Sequence, residues 1–333
     1  MREKYNWLIS TIGKRGYIAR YLRDASPQNT RVIGTGNDRY TPGFMSCDKS
    51  YVVPSVSAPD YLDRVLEICD AEEINAMLCV SDLDINYLPQ IRDQLIGRGI
   101  HCFFPEQATA QRFLNKALAA KFFIEQGFKT PATYECLEQA LQELDFPFVI
   151  KPCKGFASFG FKLVTNEVEA REHWASIESP IAQEYIEGRL VNVEACSDTS
   201  GRLLGISVCE RLRSVAGETL LTRTIEHREA VSQVQKLLSL SPIPGPIDMD
   251  LIEVGGELYF LEINTRFGGG YPTSHLAGAD FTGAMLRAIQ GKAPREELML
   301  YKKDVMMMKE LDPVIYDLDK VVLQESREES GNA

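Results

Sequence analysis

The sequence lacks any long apolar run. None of its 333 residues falls in an apolar stretch that approaches the roughly 20 residues needed to cross a membrane. The first ten residues, MREKYNWLIS, also lack the apolar segment of a signal peptide. These absences argue against a membrane partner and against export, so we expect a cytoplasmic protein.

Basic residues are in the minority. The chain has 36 Lys and Arg against 47 Asp and Glu, a net charge of -11. Surfaces that bind nucleic acid use clustered Lys and Arg to neutralise phosphates. The sequence therefore predicts no nucleic-acid partner, although a small basic pocket stays compatible with this charge.

The eight cysteines form no C-x-x-C pair and no tight Cys/His cluster. This scatter is typical of reduced, buried thiols and predicts no zinc site. Cys153, in a loop beside Lys154, is the one thiol that we consider for a functional role.

The length predicts two or three domains, and the first hundred residues alternate short apolar runs with amphipathic stretches. Such alternation is typical of a doubly wound parallel sheet. The loop STIGKRG lacks the G-x-G-x-x-G spacing, so a tight turn is favoured over a phosphate loop. Asp82 and Asp84 follow the third predicted strand, where ligands of such sheets bind, and are weak candidates for a substrate site.

The remaining chain predicts two smaller α+β units. We place the boundaries at 1–108, 109–185 and 186–322, and we expect the charged, aperiodic residues 323–333 to be a disordered tail.

A β-hairpin is predicted at IDMDLIEVGGELYFLEIN, residues 247–264. A two-residue loop would place Asp250 opposite Leu261. A three-residue loop, Gly255 to Glu257, would place Asp250 opposite Glu262 and Asp248 opposite Asn264, and this is the loop that we expect. Carboxylates and an amide would then share one face, which is either solvated or holds a divalent cation.

Three further features favour the cation. Lys151 ends a predicted strand, and a loop with Gly155, Ser158 and Gly160 follows it, as in phosphate sites. The stretch IAQEYIEGRL predicts a strand that leads into a polar connection. Arg266 and GGGYP lie directly beyond the carboxylate face, where a terminal phosphate would lie.

In this order the motifs resemble the ATP-grasp superfamily, and within it the carbamoyl-phosphate-synthase-like carboxylate–amine ligases, including the pyrrolysine-biosynthetic type. The likeness covers about residues 5–310, and its most specific part is GPIDMDLIEVGGELYFLEINTRFGGGYPTSHLAGADF. It implies an ATP-grasp fold with an N-terminal parallel-sheet domain and two α+β ATP-grasp subdomains.

The resemblance also implies a set of site residues. Lys116, Lys151, Gly155, Ser158 and Gly160 would contact ATP phosphates. Glu184, Tyr185 and Ile186 would contact adenine. Mg²⁺ or Mn²⁺ would bind Asp250, Glu262 and Asn264, and Arg266 would stabilise the transferred phosphoryl group. Leu190 stands where relatives often hold the ribose with Glu, so Glu187 or Glu194 would replace that contact.

The activity implied is an ADP-forming ligation of a small carboxylate, such as an amino acid, to an amine through an acyl phosphate. The alternatives are an ATP-binding regulatory module and a carboxylate kinase. Arg211 and Arg213 are expected on one strand face, either binding the substrate or the acyl phosphate or pairing with acidic residues. Gly268, Gly269 and Tyr271 are weak candidates for the acceptor pocket. His227 and His275 are expected to be structural rather than basic catalysts, and a homodimer is a common expectation for such enzymes.

Overall fold

The computed structural model describes residues 4–155, 159–215, 217–292, 297–310, 313–317, 319 and 321–322. The chain divides into two compact units, residues 1–103 with 312–333 and residues 104–311. Within the described residues, no helix combines the length and the apolar character needed to traverse a bilayer.

The N-terminal unit contains a six-stranded parallel sheet in the order β16-β3-β2-β1-β4-β5. The central strands are apolar on both faces, as expected when helices cover a parallel sheet. The prediction of a doubly wound sheet is confirmed. The elements are β1 (Tyr5–Ser10), α1 (Gly16–Ala25), β2 (Thr30–Gly36), a 3-10 turn (Pro42–Ser46), β3 (Lys49–Val52), α2 (Tyr61–Ala71), β4 (Ala76–Cys79), α3 (Asp82–Ile85), a 3-10 turn (Leu88–Ile91), α4 (Arg92–Gly97), β5 (His101–Phe103) and β16 (Val321–Val322).

The second unit contains a four-stranded antiparallel sheet in the order β6-β9-β7-β8. Helices α7 and α8 bury one face of it in a small apolar core. The elements of this part of the chain are α5 (Gln107–Leu114), α6 (Lys116–Glu125), β6 (Thr133–Tyr134), α7 (Leu137–Glu143), β7 (Phe148–Pro152), β8 (Lys162–Val164), α8 (Glu167–Ala175) and β9 (Pro180–Glu184).

The same unit contains a six-stranded antiparallel sheet in the order β14-β13-β10-β11-β12-β15. One face of this sheet is apolar and packs against α9, α5 and α6 in the largest core of the unit. The remaining elements are β10 (Arg189–Ser197), β11 (Leu203–Val215), β12 (Glu218–Thr224), α9 (Arg228–Leu240), β13 (Gly245–Val254), β14 (Glu257–Asn264), α10 (Tyr271–Leu276), α11 (Phe281–Ile289) and β15 (Met306–Met308).

The structure places two segments outside the domains to which the predicted boundaries assigned them. Helices α5 and α6 were assigned with the four-stranded sheet, but Phe113, Phe123 and Phe128 pack into the core of the six-stranded sheet, and Phe123 contacts Phe260 of β14. The short strand β16 pairs with β3 of the N-terminal unit. The tail 323–333 lies outside the described residues.

Candidate active site

The hairpin of β13 and β14 carries the predicted carboxylate face. Asp250 lies opposite Glu262, and Asp248 lies opposite Asn264, as predicted. The predicted loop is wrong, however, because the turn has only two residues, Gly255 and Gly256, both with positive φ (59° and 85°). A β-bulge on β14 between the Asp250 and Leu251 pairs supplies the missing residue.

The bulge decides which side chains of β14 face the core. Leu258 and Phe260 lie in the apolar core, and Ile263, an odd number of residues further on, lies there too. A regular strand would turn Glu262 into that core, because side chains alternate with a period of two. The bulge at Leu261 shifts the alternation by one, so that Glu262 and Asn264 both face the polar side of the sheet.

Strand β10 completes this polar face. Asn192 lies opposite Asp250, and Glu194 lies opposite Asp248. The Asn192 amide donates to Asp248 Oδ1 at 2.6 Å and to Asp250 Oδ1 at 2.9 Å. Burial, and next the charge of Asp250, raises the pKa of Asp248 above its usual value.

Each of the two β13 carboxylates also has an arginine. Arg211 of β11 donates with both terminal nitrogens to Asp250, one of them at 3.0 Å. Arg266 Nη1 lies 3.2 Å from Asp248 Oδ2 and 3.1 Å from the Phe267 carbonyl. Such bidentate and charge-assisted bonds hold planar guanidinium groups in fixed orientations.

Two lysines lie near the same carboxylates, one at the start of α6 and one on β7 of the four-stranded sheet. Lys116, the first residue of α6, donates to the Gly155 carbonyl at 3.0 Å and lies 3.9 Å from Glu262 Oε2. Lys151 of β7 donates to Gln183 Oε1 at 2.7 Å. Burial lowers the pKa of Lys151 to about 8, against the opposing charge of Glu262.

The glycine segment after Arg266 packs closely on the carboxylates. The Gly268 amide donates to Glu194 Oε2 at 3.3 Å. A Cβ atom at Gly268 would lie 2.3 Å from Glu194 Oε1 and 2.5 Å from Asp248 Oδ1. Only glycine allows this approach, whereas a Cβ at Gly269 would find its nearest neighbour, Lys309 Nζ, at 3.8 Å.

The predicted nucleotide loop is only partly described. Gly155 and Gly160 flank residues 156–158, so the prediction for Ser158 lies outside the described residues. Glu184 ends β9, and its carboxylate accepts from the Ala132 amide at 3.1 Å. Tyr185 and Glu187 are exposed and Ile186 is half-buried, in the connection before β10.

Several predicted roles need correction. Tyr271 is fully buried, and its hydroxyl accepts from the Phe281 amide at 3.0 Å, so it does not line an open acceptor pocket. Glu194 is 1% exposed and binds Gly268, which leaves no surface for a ribose. Asp82, by contrast, begins α3 shortly after β4, where the sequence placed it, and its part in a substrate site stays a prediction.

Contrary to the prediction, the two arginines of β11 do not share a face. Arg211 lies opposite Thr222 and Arg213 lies opposite Leu221, in the adjacent row, because the pairing shifts between them. Arg211 forms an ion pair with Asp250, which is the non-catalytic alternative. The side chain of Arg213 is exposed and forms no hydrogen bond or ion pair with the described residues.

The other residues considered for chemistry have structural contacts. His227 caps α9 by accepting from the Ala230 amide at 3.2 Å, and His275 contacts the Tyr271 hydroxyl at 3.2 Å. Cys153 is buried and its thiol lies 2.9 Å from Asn115 Oδ1. None of the eight cysteines forms a disulfide within the described residues; seven of them are buried, and Cys136 is exposed.

Sequence reasoning missed Asn192 and Gln183. Asn192 and Glu194 alternate with Val191, Val193 and Ala195 in LVNVEACSD, the same pattern of polar side chains on an apolar strand that marked Glu262 and Asn264. That alternation was a readable signal. Gln183, inside the apolar run of β9, had no comparable signal, and it orients Lys151.

Comparison with known proteins identifies the domains that carry these residues. Residues 7–103 match the family described as PylC-like, N-terminal domain, and residues 113–270 match the ATP-grasp domain family. A D-alanine–D-alanine ligase of Fusobacterium nucleatum subsp. nucleatum is 30% identical over 156 residues, 43% of this chain and 52% of the ligase. The chain thus spans about half the length of that relative.

Two longer similarities cover most of the chain. The C-terminal section of the carbamoyl phosphate synthase large chain of Aquifex aeolicus is 24% identical over 336 residues, 85% of this chain and 61% of the relative. The biotin carboxylase domain of the Hydrogenobacter thermophilus 2-oxoglutarate carboxylase, solved as a dimer with MgADP, ADP and bicarbonate, superposes with a TM-score of 0.73 at 15% identity, over 90% of this chain and 73% of that one.

The parallel-sheet unit, the two antiparallel sheets and these matches define a chain with the ATP-grasp fold, in which residues 113–270 form the ATP-grasp domain. Its residues 7–103 belong to the PylC-like N-terminal domain family.

Proposed function

We propose that the chain is an ADP-forming carboxylate–amine ligase that acts on amino acids or other small carboxylates. The observation that carries this proposal is the convergence of Lys116 and Lys151 with the carboxylates of β13 and β14, since Lys116 Nζ lies 3.9 Å from Glu262 Oε2. Cations from α6 and β7 beside the carboxylates of the β13–β14 hairpin are what Mg²⁺–ATP requires: positive charge for its phosphates and oxygen ligands for its metal.

The donor set fits Mg²⁺ or Mn²⁺. The described residues hold no group of three His, Cys, Asp or Glu that would enclose an ion alone. Mg²⁺ keeps waters and substrate phosphates, so one or two carboxylates and an amide suffice. We assign Asp250, Glu262 and Asn264 to it. Glu262 is more accessible than Asp250, with 33% against 15% of the side chain exposed, and Arg211 and Asn192 already contact Asp250.

The residues of the chain then have distinct tasks. Lys116, Lys151, Gly155, Ser158 and Gly160 bind the phosphates, and the connection from Glu184 to Glu187 borders the adenine. Arg266, held by Asp248, stabilises the transferring phosphoryl group. When bound, the metal neutralises charge on the phosphate oxygens.

The reaction has two steps. An oxygen of the substrate carboxylate attacks the γ-phosphorus, the bond to the β-phosphate oxygen breaks, and ADP leaves. The amine nitrogen then attacks the acyl carbon, a C–N bond forms, and inorganic phosphate leaves as the amine loses a proton to solvent. We do not assign Arg213 to the substrate carboxylate, because it lies on the other face of β11 from Arg211 and the carboxylate cluster. Cytoplasmic location and a homodimer are further parts of the proposal.

The test is ADP release from ATP and Mg²⁺ in the presence of a mixed pool of amino acids, with mass spectrometry for products that have lost water between two pool members. A condensed product with stoichiometric ADP supports the ligase and names both substrates. ADP release that needs no amine identifies a carboxylate kinase instead. Nucleotide binding without ADP release across the pool and across other small carboxylates contradicts the ligase.

A further inference from the structure

Asn192 lies between the two carboxylates of β13. Its side chain is 5% exposed, and its amide nitrogen lies 2.6 Å from Asp248 Oδ1, 2.9 Å from Asp250 Oδ1 and 3.2 Å from the Met249 carbonyl. Asp248 and Asp250 are two residues apart and share a face, so their charges repel. An amide that donates to both carboxylates fixes the distance between them without adding a charge.

The two carboxylates have different tasks in the proposed site. Asp250, with Glu262 opposite it, is a metal ligand, whereas Asp248 holds Arg266 at 3.2 Å. A side chain that bonds to both therefore links the metal position to the position of the phosphoryl-stabilising arginine. Arg211 bonds to Asp250 and Arg266 bonds to Asp248, whereas the Asn192 amide bonds to both carboxylates.

The residue type is restricted by its surroundings. Glu194, 1% exposed, follows on the same face of β10, so the region already holds four buried or half-buried carboxylates, Asp248, Asp250, Glu194 and Glu262. An aspartate at 192 would add a fifth and remove the donor. A lysine would add a long chain to a position where the partner atoms lie within 3 Å of a short amide.

We propose that Asn192 is a positioning residue that holds Asp248 and Asp250 at the spacing needed for metal binding and for Arg266. This inference rests on the proposed function. It predicts a specific loss: binding of the metal weakens when Asn192 is changed, while binding of the nucleotide phosphates by Lys116 and Lys151 does not.

The experiment is calorimetric titration with ADP at a series of Mg²⁺ concentrations, on wild type, Asn192→Ala, Asn192→Ser and Ser207→Ala. Ser207 is the matched control, since it lies opposite Glu194 on the neighbouring strand, is fully buried and bonds to Ser274 Oγ at 2.7 Å, whereas Asn192 bonds to Asp248 and Asp250. Thermal melting of each variant reports its folding.

We expect Asn192→Ala to raise the Mg²⁺ concentration for half-maximal tightening of ADP binding about tenfold, as typical for groups that orient metal ligands. Its ADP affinity without Mg²⁺ should stay within about twofold of wild type. Asn192→Ser, which has one hydrogen to donate, should need an intermediate Mg²⁺ concentration. It replaces Asn192→Ala in the comparison if the alanine variant does not fold. Ser207→Ala should keep the wild-type Mg²⁺ response.

A double-mutant cycle with Asp248→Asn adds a second criterion: coupled residues give an effect that is less than additive. An Mg²⁺ response of both Asn192 variants equal to that of Ser207→Ala overturns the positioning role. A wild-type protein whose ADP affinity ignores Mg²⁺ overturns the proposed function itself, and the two failures are therefore distinct.

Discussion

Glu262 is the most exposed carboxylate of the cluster. We expect metal binding to need its charge and the stability of the fold not to need it. Glu262→Gln keeps the shape of the side chain but removes one anionic ligand. ATP turnover and Mg²⁺-dependent ADP binding should fall about 100-fold, with an unchanged melting temperature because the residue lies outside the apolar core.

Glu257→Gln is the matched control. Glu257 lies on the same strand and pairs with Lys129 at 2.5 Å, away from the cluster. Equal turnover in Glu262→Gln and Glu257→Gln would reject the assignment of Glu262 to the metal.

As a proposed ligand of the phosphates, Lys151 is expected to make nucleotide binding sensitive to pH. Burial lowers its pKa to about 8, so its ammonium form, which a phosphate requires, is lost as the pH rises through that value. Between pH 7 and pH 9 the ammonium fraction falls about tenfold, and ADP affinity should fall by up to that factor. Because guanidinium stays protonated, Lys151→Arg should bind ADP with little dependence on pH over this range.

The measurement is ADP titration by calorimetry at pH 7, 8 and 9 for both proteins, with melting curves as the folding control. If wild type and Lys151→Arg lost affinity in parallel, another group would cause the pH dependence and the role of Lys151 would be rejected.

At the scale of elements, the hairpin shows what pattern reasoning reaches. The prediction that Glu262 and Asn264 face Asp250 and Asp248 is confirmed, although it rested on a three-residue loop that the hairpin does not have. The turn was wrong because two adjacent glycines fit a two-residue turn, and a bulge at Leu261 cannot be read from hydrophobic alternation alone. The same limit applies to Arg211 and Arg213, which a bulge on β11 separates.

The glycine segment between β14 and α10 gives an element-scale prediction. Gly268→Ala would push a methyl group into the carboxylates of Glu194 and Asp248, which lie within 2.5 Å of its position. The segment must shift, so we expect a loss of about 2 kcal/mol in the free energy of unfolding and a displaced Arg266.

Gly270→Ala is the control, because its Cβ would have no neighbour closer than 3.9 Å and its φ is -86°. We expect a change of only about 0.5 kcal/mol there. Denaturant unfolding of both variants measures the difference. Equal free energies of unfolding would mean that the close approach at Gly268 does not destabilise the alanine variant.

At the scale of the molecule, the chain has two compact units with separate sheets. Strands alternating with helices made the parallel sheet predictable. The return of the chain to that sheet was not, because β16 is only two residues long and has no periodicity. The packing of α5 and α6 on the six-stranded sheet was also missed, since an apolar helix face does not reveal which sheet it covers.

The N-terminal unit has its own electrostatic centre, which predicts its acid stability. Glu72 is 6% exposed and accepts from Arg31 and Lys49, each at 2.6 Å, and from the Tyr51 hydroxyl. Burial alone would raise its pKa, but the bonds from Lys49, Tyr51 and Arg31 outweigh it and lower the pKa of Glu72 to about 2.

A carboxylate whose pKa is lower in the folded chain than in the unfolded chain stabilises the fold above the unfolded value, about 4.3. That contribution is lost as the pH falls from about 5 towards 2. Arg31 and Lys49 are 41% and 38% exposed, so solvent screens part of the effect, and we expect about 2 kcal/mol from Glu72 at pH 7.

The two tryptophans allow this unit to be followed by itself, because Trp7 lies buried in β1 and Trp174 lies in α8 of the second unit. In a Trp174→Phe background, Glu72→Gln should lower the unfolding free energy at pH 7, with a difference from the parent that shrinks between pH 5 and pH 3. Glu67→Gln, on the same helix in an exposed pair with Arg64, should change little at either pH. A constant difference over that range would show that the lost bonds, and not the ionisation of Glu72, cause the destabilisation.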